Sequence, residues 1–331
     1  MKKLYITDCE GPVSTNNNGH EVAQEFVPEG ERLFALLAKF DEYLSDIEKA
    51  RGHEPGSSLK YMLPFLKAAG VTDKGVREFS GKRVNVMKTV QDTLGSIRET
   101  MDVYLIGTSY VHHVDEVGRQ IGLDPANVYG TQVAFDSYEM GEREQKMFTG
   151  LRNAFLQLPM ISWSPEGLIP PHAQFSIDSL KAFLLERFPT LPANQWIKSV
   201  SLLAGKSKAD TIINITKRAG QSLRDVVYVG DSATDVDALT LVMENGGLSI
   251  SFNGNRHAIL NAEYVVISRE TDVLKDVAIS FDEHGKGAIK QGTLREGVFV
   301  FSRANCNTEN VICMSENMRR EIGLEASDGE E

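Results

Sequence analysis

Cysteine is scarce in this sequence. The 331 residues hold three, Cys9, Cys306 and Cys313, an odd count with no Cys-x-x-Cys pair. That argues against a disulfide framework or a cysteine-rich zinc site and fits a reducing cytoplasm. Long apolar runs are missing too, and no window approaches the roughly 18 apolar residues of a membrane span. The opening "MKKLYITD" meets charge after too few apolar residues for a signal peptide. Basic charge is in deficit: a formal net charge of −11 argues against nucleic acid, whose phosphates call for a basic face. Internal repeats and low-complexity segments are absent. Only the acidic end, "EASDGEE", has nothing to bury and is expected to be disordered.

What is present is globular material. A content of 41% apolar and 24% charged residues allows a sizeable core, at a length comfortable for two domains. Four short apolar runs, Leu4–Thr7, Val103–Ile106, Val226–Val229 and Tyr264–Ile267, read as buried strands of a parallel sheet. Helical patterns follow the middle two, through Val111, Val114 and Val117 and through Val236, Leu239 and Leu241. Strand, loop and helix in repetition predict an α/β fold with a doubly wound parallel sheet. Ligands bind at the C-terminal strand ends of such sheets, where Asp8, Thr108, Ser109 and Asp231 fall.

Two insertions interrupt this pattern. Residues 16–99 look helical, with Leu33, Leu36, Leu37, Phe40 and Leu44 on one face and Val86, Val90, Leu94 and Ile97 on another. Pro64 is expected to kink the helix between them. This stretch is expected to form a helical cap domain over the strand ends. Residues 138–199 form a second, proline-richer insertion that holds both tryptophans and a helix in "SIDSLKAFLLERF". The expected core is therefore 1–15, 100–137 and 200–290. An extension over 291–331 carries "GVFVFS" and a helix near "SENMRREIG".

The chemistry-bearing residues lie in four places. "TDCEG" puts Asp8 and Glu10 at the mouth of the first strand, facing the same way if the strand alternation continues, with Gly11 to turn the chain. "IGTS" offers Thr108 and Ser109 where a strand opens into a helix, either as an anion cradle or as a plain helix cap. "GKSKAD" offers Lys208, with Lys206 as its rival, to reach a phosphate or steady a carboxylate; surface lysines of this kind are otherwise solvated. "GDSATD" sets Asp231 and Asp235 one helical turn apart, either to hold a hard divalent cation or as a cap with a solvent-facing acid behind it. His112 and His113 read as first-turn helix residues, one exposed and one half-buried. Cys9 reads as a packed thiol. Arg77, Lys82, Arg83 and Lys88 in the first insertion read as a solvated face.

Taken in order, "TDCEG", "IGTS", "GKSKAD" and "GDSATD" resemble the motifs of the haloacid dehalogenase (HAD) superfamily of phosphohydrolases. The spacing of Lys208 from Gly230 and the insertion after the first motif are similar to its phosphoserine-phosphatase-like members. The resemblance implies a Rossmann-like core and a Mg2+-dependent phosphatase acting on a small phosphorylated metabolite. Asp8 would be the nucleophile and Glu10 the acid and base. Thr108 or Ser109 and Lys208 would hold the phosphoryl oxygens. Asp8, the residue-10 position, Asp231 and Asp235 would hold the metal. Glu10 departs from the aspartate usual at its position in the family's phosphatases. "TDCEGPVS" and the helix that follows are also similar to an archaeal and bacterial subgroup whose methanogen members are labelled subunits or accessories of energy-converting hydrogenase. That likeness implies a second reading, a binding or assembly protein with weak or no turnover, whose partner surface is 138–199 or the C-terminal extension. A third is another enzyme of the superfamily, a phosphotransferase or dehalogenase.

Overall fold

The computed structural model describes residues 2–324. It begins with β1 (Lys3–Asp8), α1 (Asn18–Phe26), α2 (Gly30–Glu42), α3 (Ser58–Ala68), α4 (Asp73–Arg83) and α5 (Val90–Thr100). Next come β2 (Met101–Tyr110), α6 (Val111–Gln120), β3 (Val128–Thr131), α7 (Glu142–Phe155), α8 (Pro171–Leu180) and α9 (Ala193–Ser199). Then follow α10 (Lys206–Arg218), β4 (Val226–Gly230), α11 (Val236–Glu244), β5 (Leu248–Phe252), α12 (Arg256–Asn261) and β6 (Tyr264–Ile267). The last elements are α13 (Asp272–His284), β7 (Gly292–Arg295), β8 (Val298–Ser302) and α14 (Thr308–Glu321).

The strands form one sheet in the order β3-β2-β1-β4-β5-β6-β8-β7. Pairing is parallel from β2 through β6, and β8 and β7 close the edge in antiparallel fashion. This is the α/β, doubly wound sheet expected. Its strand order reverses between β1 and β4, the topological switch point where such sheets place their sites. Thr7 pairs with Val229, so the two chains leave the sheet side by side at Asp8 and Asp231.

Residues 2–17, 83–130 and 203–324 cluster as one compact unit, and 18–82 with 131–202 as another. In the sheet unit the strands alternate their side chains between two cores. Tyr5, Val103, Leu105, Val227 and Val229 pack with α5, α6 and α13; Leu4, Ile6, Val226 and Tyr228 pack with α10, α11 and α12. Burial on both faces is why these strands read as unbroken apolar runs. A third cluster seats Val311, Ile312 and Met318 of α14 on Ile259, Val265 and Ile267.

The boundaries differ from those expected. Val90, Leu94 and Ile97 of α5, expected in the cap, are buried in the sheet core. The two insertions share one unit. Phe65 of α3 packs edge-on against Phe148 of α7 at 5.7 Å between ring centres, and Phe155 lies 5.9 Å away. Pro64 sits inside α3, which runs through it. The "SIDSLKAFLLERF" helix begins as α8 and continues as a π-helical stretch, Lys181–Arg187. In the same unit the buried Asp41 carboxylate ties down a loop by accepting from the Gly56 and Ser58 N–H groups, each at 3.0 Å, beside His53 at 2.6 Å. The expected disordered end, "EASDGEE", lies outside the described residues. No helix among the described residues is long and apolar enough to cross a membrane.

Candidate active site

The chain turns at once after β1. Gly11 adopts φ +90°, and a Cβ there would sit 2.4 Å from Cγ of Asp231. Only glycine allows both the left-handed backbone and this approach. The Gly11 N–H donates to the Ser14 carbonyl at 2.8 Å, closing the loop.

Asp8, Asp231 and Asp235 are buried and can each bring one carboxylate oxygen within 4.8 Å of the others. Lys208, with no exposed side-chain area, donates to Asp8 Oδ2 at 2.9 Å and to Asp235 Oδ1 at 2.7 Å. Asp8 Oδ1 accepts the Cys9 N–H at 2.7 Å. Asp235 is more heavily engaged. Its Oδ1 also accepts from the Tyr228 hydroxyl at 2.6 Å, and its Oδ2 accepts the Asp231 and Ser232 N–H groups at 3.0 and 3.1 Å. A carboxylate has about four lone-pair sites. Those of Asp235 are taken by Lys208, Tyr228 and the turn that presents Asp231. Asp231 Oδ2 accepts from Nη1 of Arg319 at 2.7 Å, and the same Nη1 donates to the Asn253 carbonyl at 2.8 Å.

The electrostatics follow from burial and proximity. Burial pushes the Asp8 carboxyl well above its usual range, helped by Asp235 and opposed by Lys208. Burial also raises Asp231, against the lowering effect of Arg319. Burial would raise Asp235 as well, but Lys208, the Tyr228 hydroxyl and the Asp231 N–H together hold it below the ordinary carboxylate value. Burial works to lower Lys208, but Asp235 and Asp8 outweigh it and hold the ammonium charged.

The structure thus brings Asp8, Lys208, Asp231 and Asp235 together. Lys206 is exposed, which leaves Lys208 as the lysine at the site. Thr108 and Ser109 are buried in the last residues of β2, just before α6 opens. The Ser109 hydroxyl makes no hydrogen bond among the described residues. Glu10 is half-buried and is not part of the carboxylate cluster. Cys9 is packed in the apolar core, where burial pushes its thiol up. His112 and His113 are both buried, because the first turn of α6 lies inside; the expected exposed and half-buried pair is not found. Arg77, Lys82, Arg83 and Lys88 are exposed. Arg319 was not anticipated: an arginine in the last turn of a C-terminal helix is commonplace, and no motif marks it.

The donor set suits a hard divalent cation. Three buried carboxylates offer oxygen only, which favours Mg2+ over softer-ligand metals. Asp235 already accepts four hydrogen bonds, whereas Asp8 and Asp231 accept fewer and keep more capacity for such a cation.

No family model matches the sequence, and no curated protein matches it. Solved structures do. A gene product of Archaeoglobus fulgidus, AF1437, is 23% identical, with 98% of each chain covered and a TM-score of 0.83. A substrate-bound phosphoserine phosphatase is 16% identical over 84% of this chain and 97% of the other, with a TM-score of 0.51. At these identities the likeness is one of fold. The chain has the fold of the phosphoserine-phosphatase-like hydrolases of the HAD superfamily.

Proposed function

We propose that this protein is a Mg2+-dependent phosphatase of a small phosphate ester, with Asp8 as its nucleophile. The observation that carries the reading is the buried Asp8–Lys208–Asp235 chain beside Asp231 at the switch point of the sheet. An Asp8 oxygen attacks phosphorus; the P–O bond to the alcohol breaks, and Glu10 gives its proton to the leaving oxygen. Glu10 then takes a proton from water, whose oxygen attacks the aspartyl-phosphate. The P–O bond to Asp8 breaks, releasing inorganic phosphate. A Mg2+ between Asp8 and Asp231 would neutralise charge on the transferring group. Lys208 holds Asp8 in line, and Asp235, itself held by the Tyr228 hydroxyl, fixes the lysine in turn. Lys208 and either Thr108 or Ser109 bind the phosphoryl oxygens. Glu10 keeps the carboxyl chemistry of the family's aspartate with one methylene more. Small misplacements of this kind can cost about 10²-fold in rate.

A second reading, a HAD scaffold that binds with weak or no turnover, draws on Arg319, whose guanidinium sits on the metal-side acid. The two readings part on phosphate release from an aryl phosphate and a panel of metabolite phosphates, with and without Mg2+. The phosphatase requires Mg2+-dependent release that falls at least about 10³-fold in Asp8→Asn. No release from folded, Mg2+-binding wild type would remove it in favour of the scaffold.

A further inference from the structure

Arg319 belongs to none of the motifs, yet it is built into the site. Its side chain is 9% exposed. Nη1 faces Asp231 Oδ2 at 2.7 Å, the Asn253 carbonyl at 2.8 Å and the Asp231 carbonyl at 3.5 Å. Two of these acceptors are backbone, so the fold fixes where the charge sits. Asn253, at φ 45°, is locked in that pose by its side chain, which both donates to and accepts from the backbone of Ser268. Helix α14 is held as firmly, by its apolar cluster and by the Ser315 hydroxyl on the Gly254 carbonyl at 2.7 Å. A guanidinium keeps its proton throughout the accessible pH range, so acidity or alkalinity does not release it.

The consequence is one of charge. In the ionised form that takes a cation, Asp8, Asp231 and Asp235 supply three negative charges, and Lys208 offsets one. An incoming divalent cation would meet two net negative charges without Arg319 and one with it. The added positive charge is in contact with a carboxylate that the cation needs.

We propose that Arg319 is a tethered competitor for the cation at Asp231, so that the C-terminal helix sets the metal affinity of the site. This rests on reading Asp8 and Asp231 as the metal ligands. The wild type then takes Mg2+ weakly, and seating of the α14 end and metal loading oppose one another.

The test is Mg2+ titration by calorimetry of the full chain, Arg319→Gln, and Arg319→Gln combined with Asp231→Asn. Glutamine keeps a hydrogen-bond donor and removes the charge. Arg319→Gln is expected to bind Mg2+ at least about tenfold more tightly than wild type, and Asp231→Asn to erase the gain. Equal or weaker binding by Arg319→Gln overturns the proposal and leaves the metal reading standing. If neither wild type nor Arg319→Gln binds Mg2+, the metal reading falls and takes the proposal with it. Should Arg319→Gln not fold, hydrogen exchange of the unmodified chain decides. Saturating Mg2+ should speed amide exchange over 315–321, and unchanged or slower exchange there counts against competition.

Discussion

Asp235 carries a role beyond the one its motif position implies. From spacing alone it is a second metal acid. Its oxygens also accept from Lys208, Tyr228 and two backbone N–H groups, which makes it the anchor of the lysine and of the Asp231 turn. His113 carries a different residue-scale consequence. Its ring nitrogens make no hydrogen bond among the described residues, and burial pushes the imidazole down to about 4. An unfolded histidine titrates near 6.5. Between those values the unfolded chain holds a proton that the folded chain refuses, so stability falls as pH falls. The loss is about 1.4 kcal/mol per pH unit, about 3 kcal/mol across the window, and it is absent above it. The urea midpoint of wild type minus that of His113→Leu should be constant above pH 6.5 and should fall as the wild type weakens toward pH 4. Midpoint curves that stay parallel throughout would mean His113 is not held neutral.

Helix α5 is the element whose sequence and structure disagree most usefully. Its periodicity marks a buried stripe, and Val90, Leu94 and Ile97 are indeed buried, but in the core of the sheet unit, where α5 packs on β2 and α13. Ile97→Ala should therefore destabilise the sheet unit by about 2–5 kcal/mol, read as a lower urea midpoint and faster amide exchange in β1 and β2. Loss of protection confined to 18–82 would instead return α5 to the insertion. Hydrophobic period reveals that a helix face is covered and is silent about what covers it. Strands β1, β2, β4 and β6 were legible for the opposite reason, since continuous apolar runs arise only where both faces are covered. The acids of the site were legible because strand-end positions are few and Gly11 and Gly230 punctuate them. Arg319 was not, because its burial depends on the register of α14 against β6 and on the left-handed turn at Asn253, neither of which the sequence spells out.

At the scale of the molecule, the charge-bearing site and the aromatic cluster belong to different units. Asp8, Lys208, Asp231, Asp235 and Arg319 all fall within residues 2–17, 83–130 and 203–324. Phe65, Phe148, Phe183 and Phe188 all fall within 18–82 and 131–202. A ligand stabilises the part of a protein whose folded form binds it, by RT ln(1 + [L]/Kd), about 2.7 kcal/mol at a hundred times Kd. For a unit of this size that is about 5–10 °C in melting temperature. Calorimetric scans should therefore show Mg2+ raising a transition that Phe148→Ala leaves in place. Phe148→Ala, which empties a site among three other phenylalanines, should lower a second transition by about 3–5 kcal/mol worth of stability that Mg2+ does not restore. Because Arg319 opposes the cation, the Mg2+ shift should also be larger in Arg319→Gln than in wild type at equal concentration. A single transition that both Mg2+ and Phe148→Ala move would show the two units melting as one body, with the metal stabilising aromatic packing that contributes none of its ligands.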